Sequence, residues 1–355
     1  VTAAPLTATS TDLLAGTTGV QIVAGVDRLR THRGELEALA QRCGAPVTAR
    51  STWILAGCAT VGGPQPWAVL VRDPAGFLRA AAVLVEVRGA ERRSQIVALA
   101  GSDLGHRGAV LADDRLWARR LGIALSRTLP ARASGWAVEL GPIDADSAPL
   151  AGFTAGFPQL VKMDADPIPM IRRELGLDEA LDYLSPTMRR TLRKASNRLE
   201  NDGYALDVRF TRSHSEIRKL MPELEESHRN RDHDRGRLSD LDDAEGLRMW
   251  RSRLSDLALD GLLEVATARI DGALAAHVVG VRDGVTYRVL EGHYVTAWGR
   301  YAPGRLLEAA VVQRMLDEPD MVALDWMTSV APESLLATNA SAPMVVLRAG
   351  LGRRA

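Results

Sequence analysis

The sequence predicts an α/β (α+β) fold in which a mixed, mostly antiparallel central sheet flanked by helices occurs twice. Three observations carry this. The apolar, β-branched runs Leu262–Ile270, Ala273–Arg282 and Val285–His293 are separated by Asp271-Gly272 and Asp283-Gly284. Asp-Gly pairs turn tight hairpins, so these runs read as three antiparallel strands. Pro303-Gly304 then opens an amphipathic helix to about Leu316, and a buried strand, Met321–Met327, follows it. Finally, the order strand, two helices, three strands, helix, strand, helix, strand is legible in both halves of the chain. A repeated unit of that size means duplicated domains and not a solenoid.

In chain order, residues 1–19 are small, polar and Thr-rich, which reads as a poorly ordered tail. Val20–Gly25 is a strand, and Val26–Cys43 a helix with Asp27 at its cap and Leu29, Leu36 and Leu39 on one face. Thr52–Ala59 is a short helix before the Gly62-Gly63-Pro64 loop. Trp67–Arg72, Leu78–Val87 and Gln95–Ala100 are strands, the last two joined by the charged turn Gly89–Arg93. A glycine-rich loop, Gly101–Gly108, leads to a helix at Asp113–Leu129 and a strand at Trp136–Gly141. A helix near Ala148–Ala155 and a strand at Gln159–Met163 complete the unit.

The second unit begins at Ala205–Phe210, continues through helices Ser213–His228 and Asp242–Leu259, and reaches the hairpins already described. A short helix Pro332–Thr338 and a strand Met344–Arg348 close it. Between the units, Asp166-Pro167-Ile168-Pro169 reads as linker, because each proline removes a donor and restricts its predecessor. The expected organisation is therefore a tail at 1–19, a first domain at 20–163, a linker at 164–184 and a second domain at 185–355.

Composition narrows the class. At 355 residues, 46% hydrophobic and 25% charged, the chain is long and apolar enough for a globular core. Its formal net charge is +0, so no global field draws it to nucleic acid or to an anionic membrane. The basic residues are arginines except for Lys162, Lys194 and Lys219, a genomic bias more than a functional sign. Cys43 and Cys58 are the only cysteines and form no disulfide framework or metal pattern. No apolar run approaches a membrane span, and no charged-then-apolar leader is visible, so a cytoplasmic location is expected.

Two stretches depart from this background. Ser185 and Pro186 start a helix that stops near Gly203 and carries Arg190, Lys194 and Arg198 on one stripe. No acid is interleaved among them, so an anion clamp competes with the bland reading of a solvated arginine-rich face. The other is Arg300-Tyr301-Ala302-Pro303-Gly304-Arg305-Leu306-Leu307. Unpaired amides at the start of a helix, with a glycine that admits close approach, favour phosphate.

The R-x-x-P-G-x-L-L turn, the strand order and the basic helix Ser185–Gly203 together resemble the GNAT acyltransferase superfamily, in its CelD-like and Fem-like tandem-domain branch. The resemblance covers roughly the last half of the chain. It implies that Arg300, Tyr301, Ala302, Pro303, Gly304, Arg305 and Leu306 hold the pyrophosphate of acetyl-CoA or another acyl-CoA co-substrate. It also implies a base on a neighbouring strand, for which Glu291 and His293 qualify, since alternate strand residues share a face. Asp325 would orient the amine. Arg190, Lys194, Arg198 and His228 would border the acceptor, and the charged stretch His228–Arg237 would be a mobile loop at its edge.

His277 lies within an apolar run and reads as a core histidine. A metal held by His228, Asp232, His233 and Asp234 lacks regular ligand spacing, so no metal is expected. The expected function is N-acyl transfer from acyl-CoA to an amine on a small molecule, peptide or glycan. The alternatives are a Fem-like transferase using aminoacyl-tRNA and a non-catalytic tandem domain binding an anionic partner. Zero net charge and a single basic helix argue against a large RNA footprint.

Overall fold

Val, Ala, Leu and Ile fill the predicted strands on both faces, and such runs must be covered by helices on both sides. The computed structural model meets that demand; it describes residues 19–58, 65–88, 95–102, 107–132, 137–327 and 335–350. The first half comprises β1 (Val20–Ala24), α1 (Val26–Thr31), α2 (Arg33–Arg42), α3 (Ser51–Cys58), β2 (Trp67–Arg72), β3 (Leu78–Arg88) and β4 (Gln95–Leu99). It continues with β5 (Leu111–Ala112), α4 (Arg115–Arg132), β6 (Ala137–Asp144), α5 (Leu150–Gly156) and β7 (Val161–Arg172).

The second half comprises α6 (Pro186–Asn201), β8 (Leu206–Thr211), α7 (His214–Asp234), α8 (Ala244–Leu259), β9 (Leu263–Ile270), β10 (Ala273–Asp283) and β11 (Thr286–Tyr294). It ends with α9 (Pro303–Asp317), β12 (Ala323–Asp325) and β13 (Ala340–Gly350). The tail 1–18, the loop 62–64, the turn 89–93, residues 103–106 of the glycine-rich loop and residues 332–334 lie outside the described residues.

These strands form one sheet in the order β1-β2-β3-β4-β6-β13-β7-β12-β11-β10-β9-β8, with β5 paired to β3. The order is palindromic by role, because each half exchanges its last strand with the other. β13, from the end of the chain, pairs with β6, while β7, from the end of the first half, pairs with β12. The two exchanged strands pair with each other at the centre.

Several expectations change here. Residues 164–172 are strand and not linker. Pro167 and Pro343 fall where the β7–β13 register shifts, between Ile168↔Ala342 and Ala165↔Met344. A bulge needs no donor at those positions, which is where a sheet tolerates proline. The expected helix 26–43 breaks at His32, and Gly25, not Asp27, occupies its cap position. Leu335–Thr338 are not helical. The stretch 228–234 continues α7 as helix, with the chain released only at Gly236, whose φ is +69°.

Helix α6 starts as its sequence demands, with Ser185 Oγ accepting from Met188 N at 3.2 Å. Core packing divides by face. In the second half, α9 residues Leu307, Val311 and Met315 bury one face of β9–β12, and α7 and α8 residues Leu224, Leu254 and Leu257 bury the other. Trp53 from α3 joins the latter cluster, so the first half packs on α8. Among the described residues no helix is long and apolar enough to cross a membrane.

A buried ion network also joins the halves. Asp283 accepts from Arg288 Nε at 2.6 Å, from Val47 N at 2.8 Å and from Arg50. Asp325, fully buried, accepts from Arg288 and from Met327 N at 2.9 Å, and Arg107 Nη2 lies 3.1 Å from its carboxylate.

Candidate active site

The site is built by a defect in the β10–β11 ladder. Gly280 pairs with Val289 but Val279 pairs with Glu291, which leaves Leu290 as an unpaired extra residue. Such a bulge bends its strand and re-aims the side chains beyond it. On the other edge, β11 pairs with β12 only over Thr286–Arg288 and Ala323–Asp325. Past that point Glu291, His293 and Tyr294 belong to a strand end released from its parallel neighbour.

Helices α7 and α8 supply the rest. Trp250 Nε1 donates toward both Glu291 oxygens, at 3.2 and 3.1 Å. His228 Nδ1 lies 3.4 Å from Glu291 Oε2, and its Nε2 lies 3.5 Å from Asp232 Oδ2, one helical turn on. The His228 ring stacks on that of His293 at 4.1 Å between centroids. His277, fully buried, lies opposite His293 in the ladder, with its Nε2 4.0 Å from Glu291 Oε1.

Electrostatics separates these groups. Burial pushes the Glu291 carboxyl up, but the His228 contact and the positive charges that His293, His228 and His277 carry at low pH outweigh it and bring it down to about 2. Burial depresses His293 to about 3 and His277 to about 4, in spite of the Glu291 charge. His228 is desolvated as well, yet Glu291, with Asp232 and Asp240, raises it above the ordinary histidine value. A carboxylate and one basic imidazole therefore act as a coupled pair beside two neutral rings. The ligand atoms of His228, Glu291 and His293 lie within 4.8 Å of one another, a set able to hold a metal ion.

The predicted cradle meets the end of β11 at Tyr294. Ala302 takes the left-handed conformation (φ 48°, ψ 47°), which turns the chain from the short 3₁₀ segment Thr296–Tyr301 into α9 with Pro303 at its first position. A side chain on Gly304 would meet only Tyr294, at 3.5 Å, so this face of the helix start is open to a ligand. Tyr294 in turn carries the Arg231 guanidinium over its ring, at 4.1 Å. Other predicted cradle residues have structural partners. Arg300 Nη2 and Tyr301 OH both donate to Asp202 Oδ2 at 2.7 Å, and Arg305 Nη1 donates to Glu308 at 2.7 Å.

The structure thus brings Glu291, His293 and His228 together, and sets Gly304 of the predicted cradle against Tyr294, the residue after His293. It does not bring Asp325 to the cluster, because the two buried arginines hold that carboxylate in the interface network. Arg198 leaves the proposed clamp, since it donates to the Arg300 carbonyl and braces the cradle from α6. Arg190 and Lys194 remain exposed on α6. Sequence reasoning missed Trp250 and Arg231, which lie on other elements with no local signal. It also missed the role of His277, which a regular hairpin register would have set opposite Gly292.

Residues 186–332 match the family described as Acetyltransferase (GNAT) domain. No curated protein matches the chain. Among solved structures, FemX superposes with a TM-score of 0.60 at 10% identity, over 83% of this chain and 86% of that one. A tandem GNAT protein from the clavulanic acid biosynthesis pathway superposes with a TM-score of 0.50 at 16% identity, over 95% of this chain and 100% of that one. Residues 186–332 thus match a GNAT domain, and the chain as a whole shares the fold of FemX and of the tandem GNAT protein.

Proposed function

We propose that the protein is an N-acyltransferase that takes its acyl group from acyl-CoA, with acetyl-CoA the simplest donor, at a site in its second domain. One observation carries the reading: Glu291, which His228 of α7 faces to make a proton-accepting pair, stands on the same strand end as Tyr294, which packs under the Gly304 helix start. The backbone of Ala302–Leu306 holds the pyrophosphate at the positive end of α9, and Arg231 is near enough to contribute charge. The acceptor amine attacks the thioester carbonyl, the C–S bond breaks, and the thiolate leaves with a proton. That proton is the amine's, relayed through the His228–Glu291 pair, in which Glu291 outweighs the burial that would lower the basicity of His228 and holds the ring in place. Trp250 fixes the carboxylate, and the neutral His293 and His277 shield it from water.

Exposed Arg190 and Lys194 are the acceptor-side charges available on α6, which suits an anionic acceptor. The test is calorimetry with CoA, followed by thiol release from acetyl-CoA against a panel of amino-sugar, peptide and small-molecule amines. Saturable CoA binding and amine-dependent thiol release are the expected results. No CoA binding by the folded protein would refute the reading, and binding of aminoacyl-tRNA in its place would identify a different donor.

A further inference from the structure

We propose that His228, Glu291 and His293 form a transition-metal site suited to Zn²⁺, and that filling it reversibly removes the base of the acyl transfer. Only the effect on turnover rests on the acyltransferase reading; the metal site stands on its own geometry.

Two imidazoles and a carboxylate are a three-ligand zinc set with a fourth position left for water. Their ligand atoms already lie within 4.8 Å of one another. A tetrahedral zinc ion with bonds near 2.0–2.1 Å asks for roughly 3.3 Å between ligand atoms, so modest side-chain rotation closes the set. His228 Nδ1 has no hydrogen-bond partner in the structure, although it lies 3.4 Å from Glu291 Oε2.

The surrounding groups fit as well. A ligating histidine ordinarily turns its other nitrogen to a carboxylate, which fixes the tautomer. His228 does this with Asp232, 3.5 Å from its Nε2. Trp250 Nε1 fixes the carboxylate ligand from behind. His277 is fully buried, neither ring nitrogen has a hydrogen-bond partner, and Nε2 points at Glu291 from 4.0 Å. An unpartnered buried imidazole costs free energy, and a metal-bound carboxylate gives it an acceptor of fixed position.

The experiment titrates tag-free, metal-stripped full-length protein with Co²⁺, read by visible absorbance, and with Zn²⁺, read by calorimetry. One equivalent of Co²⁺ should give the intense bands of a four-coordinate ion, and Zn²⁺ should displace it. His293→Gln and His228→Asn should each weaken Zn²⁺ binding by more than roughly tenfold. Asp242→Asn, at the separate exposed His233–Asp242 pair, should leave it unchanged. Thiol release from acetyl-CoA should fall as Zn²⁺ is added and return with a chelator.

Circular dichroism identifies which variants are folded, and either histidine variant suffices. Absence of Co²⁺ bands in the folded wild type, or binding that survives both histidine changes, overturns the site. Turnover that persists with the site filled overturns the inhibition. If Co²⁺ binds through these residues but the metal-stripped protein neither binds CoA nor turns over acetyl-CoA, the site stands and the acyl-CoA reading falls.

Discussion

The rings of His228 and His293 stack 4.1 Å apart with their planes 25° from parallel, beside the carboxylate of Glu291. Two imidazolium ions at that separation repel, so the proton settles on one ring. It settles on His228, which Glu291 and Asp232 both face, while burial, with this repulsion a smaller cause, holds His293 down to about 3. The turnover rate should therefore rise with pH through a value above the ordinary histidine 6.5, as His228 becomes available to accept a proton. Glu291→Gln removes the main raising cause and leaves burial to dominate. Its acidic limb should move to lower pH, with a lower plateau because the imidazole is a weaker base. An unmoved limb in the pH–rate profile would show that some other group titrates.

Stability should depend on pH through the other two rings. His277 and His293 have folded values of about 4 and about 3, below the unfolded value of 6.5. The unfolded chain therefore binds more protons between these limits, and stability falls as pH drops from 6.5 toward 3. Fully buried His277 alone contributes at most about 3 kcal/mol over that window. Urea unfolding at a series of pH values should show a shallower acid slope in His277→Gln than in the wild type.

Gly304→Val should fold and fail to bind CoA. The new side chain meets Tyr294 at ordinary contact distance and otherwise projects where the phosphate would lie. Calorimetry with CoA, on a variant shown folded by its thermal transition, decides this. Normal affinity would refute the cradle.

Asp325→Ala should act on stability and not through the acceptor. It leaves Arg288 and Arg107 buried without the carboxylate that neutralises them. Breaking one side of a buried pair costs about 3–5 kcal/mol, readable as a lower urea midpoint. An unchanged midpoint with a raised acceptor KM would return Asp325 to the substrate.

Arg190→Gln with Lys194→Gln should raise the acceptor KM and leave CoA affinity alone. Arg198→Gln should weaken CoA binding instead, because its guanidinium holds the Arg300 carbonyl at the cradle. Equal effects from both changes would mean that α6 is simply a solvated face.

The hairpins were legible because Asp-Gly pairs have local turn chemistry; Asp271 and Gly272 do take the φ values of +48° and +82° that such a turn needs. The start of α9 was legible for a similar reason, Pro at the first helical position. What stayed hidden depended on distant chain. Pro167 and Pro169 suggest a linker to any local rule, and only the pairing of Pro169, and of Ala165 and Ile168 on either side of Pro167, with β13 makes this stretch strand. The charged run after His228 suggests a loop, yet Leu241 and Asp242, just ahead of α8, give its residues partners along a helix. Asp325 looked catalytic because nothing near it in sequence shows that Arg107 neutralises it.

The exchanged strands also bear on synthesis. Strand β6 is made early, but one of its edges is covered only by β13, close to the C-terminus. Until residues 340–350 leave the ribosome, the first half carries an open, apolar sheet edge of the kind that invites aggregation. The nascent chain must leave that edge of β6 open or shielded until β13 has been made, and the pairing of β13 with β6 and β7 then joins the two halves.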